Sequence, residues 1–414
     1  MTDRARKLHF DFRSGGRPDP RLETERASAG THPGGWSFLH DDPVGALIEL
    51  PADTARIAPG AGLLLENGSA NHVRNPRAEG AAAGAPGTAP THWSLDTGAA
   101  TAEIVGSGVE RGWPYLEVRL TGDPGGAARI WFETETAIAA IPGDDWTISV
   151  GARRTGGDLT NITAARLVLQ QRDATAALAT ATGADMALDA AHRRAVLSAG
   201  AGESALAHIR PGLELATAGA VDLTVRIYAP QAELSAFATS PVLPPAGAPG
   251  AATREADSVR LDAEAWIGRG DVSIVMEFAR MGLDHSRGRQ NLVSLDDGTF
   301  ANIINLFVHD SDSCRARLHT NASADMLVGV VWGDVAMRAG AVRLAARLSG
   351  QDARIVSSLG QASLGALDLS VLDRVTHLQV GGDPAGRALN GYLAAMSVFP
   401  EALSDDALEA LAAV

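Results

Sequence analysis

Residues 221–228 read VDLTVRIY, and their alternation decides the fold class. Val221, Leu223, Val225 and Ile227 fall on one side, and Asp222, Thr224, Arg226 and Tyr228 on the other. Side chains alternate across a strand with a period of two, so one face of this strand lies in a core and the other meets water. YLEVRL at 115–120 repeats the pattern: Leu116, Val118 and Leu120 claim the inner face and leave Tyr115, Glu117 and Arg119 outside. Trp146, Ile148 and Val150 alternate with Thr147 and Ser149 in the same way. Several such segments between turn clusters, over about 160 residues, predict an antiparallel sandwich or jelly roll.

On either side of this region the pattern changes. SPVLPPAGAPGAATR at 240–254 is a linker by composition. Beyond it, strands are expected over 272–278, 291–295, 303–308, 342–348, 375–380 and 392–399. LSDDALEALAAV at the end reads as a short helix, with Ser404 as its N-cap and Asp405 and Asp406 in the first turn. The Ala-rich stretch 174–191 allows a short helix, or a strand with loops. The first 70 or so residues (DFRSGGRPDPRLETER, THPGGW, DDPVG) are rich in Arg, Asp, Pro and Gly and show little periodicity. The expected architecture is therefore all-β: an N-terminal extended arm over 1–72, a jelly-roll domain over 73–245 and a second β-sandwich over 246–414. The arm has too few apolar residues for its own core and is expected to order only by docking on a partner or a sister chain.

Composition narrows the function. The chain has 414 residues, with 35 Lys and Arg against 49 Asp and Glu, a formal net charge of −14. Phosphate contacts need concentrated positive charge, so nucleic acid is not an expected partner. Lys7 is the only lysine, and Cys314 the only cysteine, which excludes an intrachain disulfide framework and a cysteine-based zinc site. MTDRARKLHFDF has no apolar secretion core, and no run approaches about 18 apolar residues, so neither a signal peptide nor membrane insertion is expected.

Three stretches carry a family resemblance. DPRLETERASAG (19–30) with GLLLENGSANHVRNPRAEG (62–80) resembles the opening of many phage fibre proteins. IYAPQAELSAFATSPVLPP (227–245) and TREAD (253–257) resemble the last strand and exit of their carbohydrate-binding jelly rolls. VGGDPAGRALNGYLAAMSVFPEALSDDALEAL (380–411) resembles the closing strands and helix of concanavalin A-like (laminin G-like) lectin domains. The order of the three also matches phage and gene-transfer-agent fibres or head spikes that recognise cell-surface glycans. The resemblance implies a jelly roll followed by a lectin-like sandwich, a homotrimer, and a particle base, capsid or tail protein as the partner of the arm.

Catalysis on a concanavalin-like sandwich needs two carboxylates about 5–5.5 Å or about 6.5–9.5 Å apart. No Glu-x-Asp-x-x-Glu or Glu-x-Asp-x-Glu run is present; Glu277 has no acid at the right offset. Asp144-Asp145, Asp296-Asp297 and Asp405-Asp406 are adjacent pairs in turn or cap settings, and on a strand such neighbours point to opposite faces. There is no Gly-x-Ser-x-Gly elbow, phosphate loop or His-Glu-x-x-His helix. The chain is expected not to be an enzyme, and no cofactor or metal is expected. A short Asp-Ser-Asp turn at 310–312 reads as solvated rather than as a Ca²⁺ loop.

Sugar binding needs an aromatic ring for a pyranose face and a few hydroxyl-bonding groups. The candidates on the jelly roll are Tyr115 with Trp113, then Arg129 and Trp131, with Trp131 open between core and ligand. Trp93 and Trp146 are expected in the core. On the lectin-like sandwich the candidates are Asp284, His285, Arg287, Asp296, Asn302, Asn305 and His309, all in polar-rich segments. The resulting expectation is a receptor-binding spike on the exterior of a phage-like particle, adhering to a bacterial surface or capsular polysaccharide. The rival readings are a polysaccharide-degrading spike with a site between subunits, and a decoration protein that binds no sugar.

Overall fold

The computed structural model describes residues 8–14, 18–33, 44–263, 270–280, 289–309, 315–320, 330–331, 342–350, 352–359, 362–366 and 368–413. The chain is nearly all β and divides into two compact units. One, the central sandwich, comprises residues 30–49 and 69–254; the other, the terminal sandwich, comprises 1–29, 50–68 and 255–414.

The central sandwich has a five-stranded sheet in the order Arg193–Gly200, Asp145–Gly157, Val221–Leu234, Trp113–Gly122, Thr101–Glu110. Its six-stranded sheet runs Leu178–Asp185, Ile162–Arg172, His208–Thr217, Ala127–Trp131, Ser94–Asp96, with Ile138–Ala139 paired to His208–Thr217. The alternating residues do what their spacing demands. Leu116, Val118, Leu120, Val221, Leu223, Val225 and Ile227 line one face of the five-stranded sheet and close a core with Ile130, Leu167, Leu169 and Leu213 of the other. Trp146 and Trp93 are buried in that core, as expected. The Ala-rich stretch resolves as the edge strand Leu178–Asp185.

The terminal sandwich packs an eight-stranded sheet on a seven-stranded one around a single core. Ser404 caps the helix Asp405–Ala412, its hydroxyl accepting from the Ala407 N–H at 3.4 Å. Leu408 and Ala412 of that helix pack on Val275, Ala345 and Phe399. Among the described residues, no helix is long and apolar enough to cross a membrane.

The N-terminal arm does not stand apart. Leu8–Asp11 and Gly62–Leu65 both pair with Gly391–Phe399, Arg56–Ala58 pairs with Gly62–Leu65, and Leu22–Glu25 pairs with Ser258–Asp262. Leu8, Phe10, Phe12, Leu63 and Leu65 sit in the terminal core. The expectation that this segment orders only on a partner is therefore corrected: it completes sheets of its own chain. A buried ionic cluster fastens it. Asp257 accepts from Arg26 Nη1 at 3.0 Å, Arg56 Nε at 3.2 Å and the Glu66 N–H at 2.8 Å, and pairs with Arg56 Nη2. Arg56 Nη1 also reaches Glu66 at 2.5 Å. Burial works against the Arg56 charge, but Asp257 and Glu66 outweigh it and hold the guanidinium protonated.

Candidate functional site

The outer face of the five-stranded sheet gathers the chemistry. Register places Gly108, Tyr115, Tyr228, Gly151 and Arg194 in one row across five strands. The next row is Gly106, Glu117, Arg226 and Arg153. The glycines shape the surface. Tyr115 lies across the edge strand because Gly108 has no Cβ; one built there would stand 3.2 Å from the Tyr115 hydroxyl. Gly151 leaves room for His192, which stacks on Tyr228 at 3.9 Å between ring centroids. Gly106 is bare, with no atom within 4 Å of a Cβ placed on it.

Around Tyr115 the polar groups are engaged with one another. Arg226 lies over its ring, 4.3 Å from the centroid, and bridges Glu110 at 3.2 Å and Glu117 at 3.1 Å. Arg153 reaches Glu110 at 2.6 Å and the Tyr228 hydroxyl at 2.8 Å, and that hydroxyl donates to Glu110. Burial, helped by Glu110, pushes the Tyr228 phenol up to about 12. Burial would raise the Glu110 carboxyl, but the Tyr228 hydrogen bond, Arg153 and Arg226 together hold it below the ordinary range.

Trp113 is corrected from ligand platform to packing residue. It faces outward by parity, as the alternation requires, yet it is 1% exposed. Val44 and Leu47 cover it together with Tyr228 and Ala229, and its indole N–H donates to the Gly45 carbonyl at 2.9 Å. The covering segment is pinned by Val44 N to the His192 carbonyl and Leu47 N to the Arg111 carbonyl, each at 2.9 Å. Trp131 is corrected likewise: it is 4% exposed, lying against Gly212 with Arg210 at 4.6 Å over its ring. Arg129 is paired with Glu214 at 2.8 Å on the opposite sheet, so it does not join Tyr115.

His192 gives this face a measurable pH signature. Burial lowers its imidazole from 6.5 to about 3; Glu110 opposes the shift, and Arg153, Arg111 and Arg194 add to it. Between those values the unfolded chain takes up a proton that the folded chain refuses, so stability falls as pH falls, by up to ~1.4 kcal/mol per unit. His192→Gln is expected to remove that part of the slope in acid-range denaturation of the central sandwich. An unchanged slope would place the proton elsewhere.

On the terminal sandwich, Asp296 and Asn305 prove to be strand residues with no exposed surface, which corrects their place among the glycan-binding candidates. Asp296 accepts from the Gly298 N–H at 2.8 Å and Gln379 at 3.2 Å, and burial pushes its carboxyl up. Asn305 donates to Asn291 at 3.2 Å. Asn302 is held by Asp297 at 2.7 Å and Arg374 at 3.2 Å. Asp284, His285, Arg287 and the side chain of His309 lie outside the described residues. Among the described residues, no group of three or more His, Cys, Asp or Glu is placed to hold a metal.

Sequence reasoning named Tyr115 but missed Glu110, Arg153, Arg226 and Tyr228. Their outward parity was readable within each strand; the register that brings four strands together was not.

No protein-family model matches the chain, and no curated protein matches it. Among solved structures, the chain is similar to the CBM40 of the Ruminococcus gnavus IT-sialidase bound to α2,3-sialyllactose. Identity there is 17%, over 35% of this chain and 83% of that one, with a TM-score of 0.28. It is similar to a leech intramolecular trans-sialidase at 14% identity, over 37% of this chain and 24% of that one, TM-score 0.30. It is also similar to the enzymatically active domain of bacteriophage CBA120 tailspike protein 4 at 13% identity, over 34% and 19%, TM-score 0.23. The expectation that the chain is not an enzyme is corrected by these findings, because sialidases and an enzymatically active tailspike domain stand beside binding modules among the similar structures.

Proposed function

We propose that this chain is an adhesive fibre or spike component of a phage-like particle, holding a cell-surface polysaccharide on the outer face of its five-stranded sheet. The observation that carries the sugar reading is the bare backbone shelf at Gly106, beside Tyr115 and the Glu117–Arg226–Glu110 network. Glycine inside a strand leaves the backbone open to close approach, and a flat shelf edged by acceptors and a tyrosine suits a chain of hydroxyls. The particle reading rests on the three stretches that resemble phage and gene-transfer-agent fibres. In it, the protein is a homotrimer on the particle exterior, and several weak sites on one scaffold raise the effective concentration of each later contact.

The shelf can be filled without disturbing the fold. Gly106→Tyr meets no neighbour at its Cβ and is expected to abolish adsorption to capsulated cells, with stability changed by less than about 1 kcal/mol. Tyr115→Ala should act the same way. Full adsorption by both variants would dismiss this face as the adhesive surface.

A further inference from the structure

The charges on this face cancel in place. Four arginines, Arg119, Arg153, Arg194 and Arg226, stand among four carboxylates, Glu103, Glu110, Glu117 and Asp222. Arg226 is shared between Glu110 and Glu117, Arg153 between Glu110 and the Tyr228 hydroxyl, and Arg119 is paired with Asp222 at 3.0 Å. The inner members are largely withdrawn from water: the side chains of Glu117 and Arg226 are 13% and 21% exposed. Other arginines border the face. Arg154 bonds the Gly157 carbonyl at 2.6 Å, and Arg111 in the turn before Trp113 bears its charge on His192, at the end covered by Val44 and Leu47.

From this arrangement we infer that the face takes an uncharged, hydroxyl-rich glycan in preference to an acidic one; the inference rests on the glycan reading above. A uronate or sulfate is recognised by guanidinium N–H groups that have no other anion. Here the guanidinium groups of Arg119, Arg153 and Arg226 already serve carboxylates. An anionic ligand would have to draw an arginine away from Glu110 or Glu117 and leave that carboxylate poorly solvated beside a second negative charge. The net charge of −14 repels a polyanion further. Sugar hydroxyls need no such exchange, because each carboxylate oxygen keeps lone pairs that its arginine does not use.

The test is capture of the full chain on immobilised mannan and dextran against alginate and polygalacturonate, with Tyr115→Ala as the control for the face. The neutral polymers should be preferred by about tenfold or more. Their affinity should change by less than about twofold between roughly 0.05 and 0.5 M salt. Glu117→Gln releases N–H donors of Arg226 and should narrow the preference by about fivefold or more, by admitting alginate. Equal capture of both classes, or a preference for the acidic polymers that fades with salt, overturns the inference and leaves the glycan reading standing. Capture of neither class, or capture that Tyr115→Ala does not touch, overturns the glycan reading and the inference with it.

Discussion

Asp257→Asn is expected to destabilise the terminal sandwich by about 3–5 kcal/mol, the range for removing one partner of a buried ion pair. The substitution keeps the shape of the side chain and removes its charge. Arg26 and Arg56 would then share a buried site with Glu66 as the remaining carboxylate of the cluster, and Arg26 and Arg56 are 1% and 0% exposed. The loss should appear first where the N-terminal strands are held. Hydrogen exchange should speed up in Arg56–Ala58, Gly62–Leu65 and Leu22–Glu25 before it does in Val272–Arg280. Exchange in the central sandwich, which has its own core, is the internal control. Wild-type exchange throughout would mean that strand pairing alone fastens the segment. Pairing Asp257→Leu with Arg56→Met should recover part of the loss, because an apolar replacement leaves fewer stranded charges than a single one does.

The same cluster explains why the N-terminal segment misleads a reader of the sequence. Its Arg, Asp and Glu look like a solvated arm because isolated charges are seldom buried. What buries Arg26 is a carboxylate 231 positions away, at a distance where no local pattern is visible. By contrast, whatever depends on neighbours in sequence was legible: the alternation at 116–120 and 221–227, the buried Trp146, and the Ser404 cap with its two acids. The candidate site was half legible for the same reason. Parity put Tyr115, Glu117 and Arg226 outward within their strands, and register, a long-range property, put Arg226 over Tyr115 and brought Arg153 and Glu110 to it.

Trp113 shows the limit of parity most sharply and gives the other large effect. Trp113→Ala is expected to cost the central sandwich about 3–5 kcal/mol, as for a buried aromatic, whereas Tyr115→Ala two positions on costs less than about 1 kcal/mol. Both point outward, but outward is not the same as wet. Val44 and Leu47, more than sixty positions upstream, close over Trp113, whose ring also meets His192 edge-on at 4.9 Å. Removing the indole opens a cavity, takes the Trp113 N–H away from the Gly45 carbonyl and loosens the His192–Tyr228 stack. Gly112→Ala offers an independent check from the other side of the covering segment. Its φ of +85° disfavours a side chain, and a Cβ there would run into the Leu47 carbonyl. It should therefore destabilise the same region and, like Trp113→Ala, lessen the acid sensitivity assigned to His192, because water reaching the ring lets the folded imidazole take up its proton nearer its ordinary pH. A Trp113→Ala protein that denatures like wild type yet no longer adsorbs to cells would reverse the assignment: the covering segment would then be displaced in solution, and Trp113 would belong to the adhesive face beside Tyr115.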